Sequence, residues 1–97
     1  MRPLHLADVE IAARVLALVD PDDRVRVMQN MITKAEMADA YRQLHGRPHP
    51  QFGTGTLMSS ATRWAAAPRP AALDPDALHA LNVVTRTLWT HLIHQFA

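Results

Sequence analysis

Apolar residues recur at helical spacing in four stretches of this chain, and nowhere do they alternate as in a strand. Val9, Ala12, Ala13, Leu16 and Val19 share one face of a first helix over residues 6–19, widened by Ile11, Val15 and Leu18. A second stripe of Met28, Met31, Ala35, Ala38 and Tyr41 predicts a long helix over 21–45. Leu57, Ala61 and Trp64, at spacings of four and three, predict a short helix over 56–66. Leu78, Leu81, Val84, Leu88 and Leu92, with Trp89, Ile93 and Phe96 alongside, predict a fourth helix over 75–96. The expected fold is therefore all-α, with the second and fourth helices longest.

The polar punctuation agrees. Asp20-Pro21 and Asp74-Pro75 each set a capping carboxylate before a proline suited to the first helical position. Asp22, Asp23 and Asp76 then place negative charge at the positive ends of two helix dipoles. Glu10 and Arg14 stand four apart and are expected to pair. All three glycines, Gly46, Gly53 and Gly55, fall in one Gly/Pro/His loop over 46–55, with Gly46 as a helix stop. The run 67–73, with Pro68 and Pro70, reads as an extended connector.

At 97 residues the chain is expected to form one domain with a modest core, which association with copies of itself would supplement. A long helix with a narrow Met/Ala stripe fits such pairing. Met28, Met31, Ala35, Ala38, Trp89 and Phe96 are accordingly the candidate interface residues. The chain has no cysteine, and no apolar run reaches the roughly 20 residues that span a bilayer. Without a signal-like N-terminal run, a cytoplasmic, non-membrane protein is expected.

Charge is uneven although the net value is only +1. Residues 8–39 hold seven of the nine acids, and residues 40–73 hold none. That acid-free stretch carries Arg42, Arg47, Arg63 and Arg69, with His49 as a conditional cation, and these are the candidate contacts to DNA phosphates. The glycine loop reads either as a plain turn or as a cradle for a single anion. Gly-Lys-Ser/Thr and a preceding strand are both missing, so no P-loop is met.

No constellation favours catalysis. Ser59 and Ser60 lie outside any nucleophile elbow, and capping accounts for Asp20, Asp22 and Asp23. Gly46 and Pro48 break the face between His45 and His49; His91 and His94 share a helix but have no carboxylate close by in sequence. No enzyme activity, metal or cofactor is expected.

Several runs carry a resemblance. These are Arg2-Pro-Leu-His-Leu-Ala-Asp-Val-Glu-Ile-Ala-Ala-Arg-Val-Leu16, Tyr41-Arg42, Gly46-Arg-Pro-His-Pro50 and Phe52-Gly-Thr-Gly-Thr-Leu-Met-Ser-Ser-Ala61. In this order they resemble short alphaproteobacterial proteins of gene transfer agents, the domesticated phage-like particles, and specifically their small terminase subunits. The resemblance implies a non-catalytic DNA-packaging adaptor that forms a homo-oligomer. It also implies that the adaptor engages DNA weakly and recruits or regulates the large terminase subunit. The usual N-terminal helix-turn-helix is missing, since the second helix begins with acids where a recognition helix presents cations and amides. The competing expectation is a small helical protein-interaction module that binds no DNA.

Overall fold

The computed structural model describes residues 1–96. It is all-α, with helices α1 (Leu6–Leu16), α2 (Arg24–His45), α3 (Leu57–Ala61) and α4 (Pro75–Phe96). A 3-10 turn over Pro21–Asp23 leads into α2.

Local chemistry sets most boundaries. The Asp20 carboxylate accepts from the Asp22 amide at 3.0 Å, and Pro21 follows in the first turn position. Asp74 accepts from the Ala77 amide at 2.8 Å and starts α4 in the same way. Thr56 Oγ1 accepts from the Ser59 amide at 3.0 Å and caps α3. Gly46 ends α2 in the left-handed region, φ +69°, and its amide donates to the Arg42 carbonyl at 2.7 Å.

Three helices are shorter than their patterns predict: α2, expected from residue 21, starts at Arg24 after the 3-10 turn, and the first and third end early. The first ends at Leu16 rather than Val19, because the Arg24 side chain takes the Leu16 and Val19 carbonyls that further helix would have left open. The third ends at Ala61 rather than residue 66; a turn follows, and Trp64 is exposed beyond it. Leu57 and Ala61 carry that helix into the core, and buried Ser60 donates to the Met31 carbonyl of α2 at 2.8 Å.

The core lies where α1, α2 and α4 meet, closed from one side by α3. Ala12, Val15 and Leu16 of α1 face Val27, Met28, Met31 and Ile32 of α2 and Ala80, Val83, Val84 and Leu88 of α4. Arg24 pairs with Asp76 near the starts of α2 and α4, and Glu36 meets His91 and Gln95 farther along. The two long helices therefore run in the same direction. The connector is held to α1 by reciprocal bonds: the Ala67 amide donates to the Arg14 carbonyl at 2.9 Å, and Arg14 Nε donates to the Ala67 carbonyl at 2.7 Å. Arg14 is thus engaged with the connector, and Glu10 pairs with Arg69 instead of with Arg14.

Met28, Met31, Ala35 and Ala38 are fully buried within this one chain. The Met/Ala stripe is the inner face of α2, covered by α1, α3 and α4, so it is not a surface for a second copy.

Candidate interaction surfaces

Four positions from the acid-free stretch and one loop histidine were expected to gather phosphates, and the structure treats them differently. Arg42 is held by Asp39 at 2.8 Å, and Arg69 by Glu10 on α1. Burial pushes the Asp39 carboxyl up, but the Arg42 hydrogen bond and the neighbouring amino terminus outweigh it and hold the group below the usual carboxylate range. Both arginines are paired with acids of the 8–39 stretch, Arg42 with one a turn away on its own helix and Arg69 with one on α1. Arg47 and Arg63 are exposed and have no carboxylate partner among the described residues.

His49 organises its loop rather than extending from it. Its Nδ1 accepts from the amides of Gln51 and Phe52, each at 3.0 Å. Its backbone pairs in both directions with Gly53, and its ring stacks on Phe52 at 4.5 Å. Tyr41 packs edge-on against the other side, at 4.9 Å. With Nδ1 accepting from two amides, the ring's donor is Nε2–H. The glycine loop is closed against the body of the protein: the Arg2 amide donates to the Gly55 carbonyl at 2.8 Å, and Gly55 lies against the α2 backbone at Asp39.

The buried polar residues do structural work. Arg24, 1% exposed, joins three helix ends. Its Nε donates to the Leu16 and Val19 carbonyls at 2.8 and 3.1 Å, satisfying acceptors at the negative end of α1. Its Nη2 pairs with Asp76 at 3.0 Å and its Nη1 donates to His79 Nδ1 at 2.8 Å, both near the start of α4. The Arg24 hydrogen bond lowers the Asp76 carboxyl pKa; desolvation opposes it, and the charges of Arg24 and His79 add to it. Asp8, also buried, accepts from the His5 amide at 2.8 Å and from the Met58 amide at 2.9 Å, so one carboxylate serves the starts of α1 and α3. Arg24 had a signal in the sequence: it precedes Met28, Met31 and Ala35 at spacings of four, three and four, so it lies on the apolar stripe. Nothing local marks Asp8 or His79.

Two surfaces are unusually apolar. On α4, Leu78, Trp89 and Ile93 lie on one outward face and are 50%, 69% and 50% exposed, with half-buried Leu81 and Leu92 beside them. Trp89 is therefore available to a partner; Phe96 closes the helix, and its side chain lies outside the described part of the structure. On the outer side of α2, Thr33, Met37, Ala40 and Leu44 form an exposed row at spacings of four, three and four. A groove of about 540 Å³ also runs between α1, the connector and α4, walled by Val9, Ala13, Leu73 and Leu81, with Leu6 almost fully exposed at its edge.

Among the described residues, no group of three or more His, Asp or Glu side chains stands close enough to hold a metal ion. No helix is long and apolar enough to cross a membrane. A family model described as a domain of unknown function (DUF7742) matches residues 2–88. No curated protein and no solved structure matches the chain.

Proposed function

The chain belongs to the DUF7742 family, and from that premise we propose that it is a non-catalytic adaptor of the small-terminase kind. In this reading it self-assembles, touches DNA weakly through phosphates and recruits or regulates the large terminase subunit in the cytoplasm. The observation that carries the adaptor reading is the second apolar face of α4. Ala80, Val83, Val84 and Leu88 already complete the chain's own core, yet Leu78, Trp89 and Ile93 stand outside it, half or more exposed. A tryptophan exposed on a helix next to a β-branched residue is what a protein interface buries at its centre. Self-assembly finds further support in the exposed Met37 and Leu44 row of α2.

A second reading, a protein-interaction module that binds no DNA, is favoured by the ion pairs at Arg42 and Arg69. These remove two of the four arginines on which phosphate contact was expected to rest.

Co-expression with the large terminase subunit of the same genome tests the adaptor reading. Co-purification is expected, and Trp89→Asp with Ile93→Asp is expected to abolish it while leaving the helical signal intact. Failure of the unaltered chain to retain the large subunit counts against the small-terminase assignment.

A further inference from the structure

Between the N-terminal half of α2 and the flank of α4 runs an open groove of about 790 Å³, which meets the exposed row of α2 at Thr33. Its apolar part comes from Val25, Ile32 and Val83. The remaining lining is rich in donors. Arg86 comes from the middle of α4, Gln29 and Asn82 bring side-chain amides, and Thr33, Thr87 and Thr90 bring hydroxyls. Among the described residues, no aspartate or glutamate lines the groove.

The histidines sharpen this polarity. A guanidinium only donates, so the Arg24 contact makes His79 Nδ1 an acceptor and puts that ring's proton on Nε2. His91, held below the ordinary imidazole value first by burial and then by the amino terminus and His94, is uncharged at neutral pH. Its Nε2 lies 3.1 Å from the Gln95 side-chain amide and 3.4 Å from the Glu36 carboxylate. Two carboxylates meet groove histidines, and both are engaged: Asp76 by Arg24, and Glu36, 3.4 Å from His91, by Gln95. Arg86 is exposed and has no carboxylate partner among the described residues.

We propose that this groove, rather than the acid-free stretch, is where the protein binds phosphate oxyanions, with Arg86 as the charged anchor and the Thr87, Thr90 and Asn82 side chains as added donors. The proposal rests on the DNA-contact part of the adaptor reading and gives that contact a place. A guanidinium flanked by hydroxyls and amides suits an oxyanion that accepts from several sides. From His79 to His94 the α4 wall extends about 22 Å at 1.5 Å per residue. One nucleic-acid strand presents roughly six phosphates over that length. The groove therefore suits a backbone better than one small anion. With one fixed cation the binding is weak and salt-sensitive.

The test uses the full chain, isotopically labelled, titrated at low salt with inorganic pyrophosphate and separately with a short oligothymidylate. The amide signals of Gln29, Asn82, Thr87 and Thr90 are expected to shift with both, while those of Arg47 and Arg63 stay in place. Arg86→Gln is expected to weaken binding about tenfold, the worth of one charge-assisted contact. The same change is expected to flatten the salt dependence by about 0.7 on a log–log plot for single strands. Asn82→Asp, which puts a carboxylate into the groove, is expected to abolish binding without changing the thermal midpoint by more than a surface substitution does. Shifts with pyrophosphate alone uphold the phosphate site and overturn the polymeric occupant. Shifts that centre on Arg47 and Arg63, with Arg86→Gln silent, overturn the groove and leave DNA contact standing. If neither ligand shifts any groove signal, the groove proposal is wrong, whereas capture of the large subunit is read independently.

Discussion

Arg24 and Asp76 lie 52 residues apart in sequence and 3.0 Å apart in space, one side chain 1% exposed and the other 59%. The asymmetry sets what each contributes. Removing Arg24 strands the Val19 carbonyl, leaves the Leu16 carbonyl with only the Val19 amide, and breaks the junction of three helices. Removing Asp76 takes away a partner that water can partly replace.

Arg24→Met is therefore expected to cost about 3 kcal/mol, in the range for breaking a buried charged network. Asp76→Asn should cost clearly less. Urea midpoints of the two variants check the ranking, with equal slopes showing that the unfolded state is unchanged. Equal losses would mean that the ion pair, and not the two carbonyl bonds, holds the junction.

The glycine loop gives a steric prediction. Gly55, at φ +90°, lies so close to α2 that a Cβ would stand 2.8 Å from the Asp39 Cα. The obstacle is backbone, so it cannot swing away. Gly55→Ala is expected to cost about 3 kcal/mol or more, from clash and left-handed strain together. Gly46, at φ +69°, has nothing within 4 Å of such a Cβ, so Gly46→Ala should cost only the strain, about 1 kcal/mol. Thermal unfolding of both variants measures the difference.

These cases separate what was legible from what was not. Asp20-Pro21, Asp74-Pro75 and Gly46 act on their own neighbours, so helix starts and stops are readable from a few residues. Periodicity also identifies the Met28, Met31, Ala35 and Ala38 face as apolar. It carries no information on what covers that face, and α1, α3 and α4 cover it here instead of a second copy. The candidate phosphate residues were harder still. Arg42 lies within reach of Asp39 one turn away, but the Arg69 to Glu10 pair depends on the connector lying along α1. The α2/α4 groove joins residues about 46 or more positions apart, which no local pattern relates.

Stability should respond to acid in two separate windows. His91 has a folded value below its unfolded value of about 6.5. The unfolded chain takes up that proton first, so stability falls as pH drops through about 6.5 and keeps falling until the lower folded value is passed. Asp39 and Asp76 also have lowered folded values, so their contribution is present above the unfolded carboxylate value and is lost as pH falls through the folded ones. Denaturant titrations across the acid range are expected to show both declines. His91→Gln should remove the upper one and spare the lower. Retention of the upper decline in that variant would assign it to another histidine.

Asp8 offers a test of one carboxylate serving two helices. Its two oxygens accept from the His5 and Met58 amides, at 2.8 and 2.9 Å. Asp8→Asn keeps the shape but replaces one acceptor with an NH2 group facing an amide N–H. Asp8→Ala leaves both amides without a partner. The expected losses are about 1–2 kcal/mol for asparagine and about 2–4 kcal/mol for alanine. Amide exchange should quicken at the starts of both α1 and α3 in the alanine variant. Faster exchange at α1 alone would show that α3 is held by Thr56 without Asp8.

The inner and outer faces of α4 and α2 predict that stability and association are separable. Met31 is fully buried, and Met31→Ala removes core volume that the surrounding helices cannot readily refill, at a cost of about 2–5 kcal/mol. Trp89 is 69% exposed, so Trp89→Ala removes little that the isolated chain buries and should move the unfolding midpoint only slightly. If the outer α4 face is the meeting surface, the effects on mass in solution reverse. Trp89→Ala should lower the mass measured by light scattering at high concentration, because a large aromatic at the centre of an interface carries a disproportionate share of its affinity. A folded Met31→Ala should still associate, since its outer face is intact. Exposed Leu44 provides the control for α2: loss of association in Leu44→Ala with Trp89→Ala unchanged would move the interface from α4 to the Met37 and Leu44 row. If both surface variants retain the mass of the unaltered chain, neither face mediates assembly.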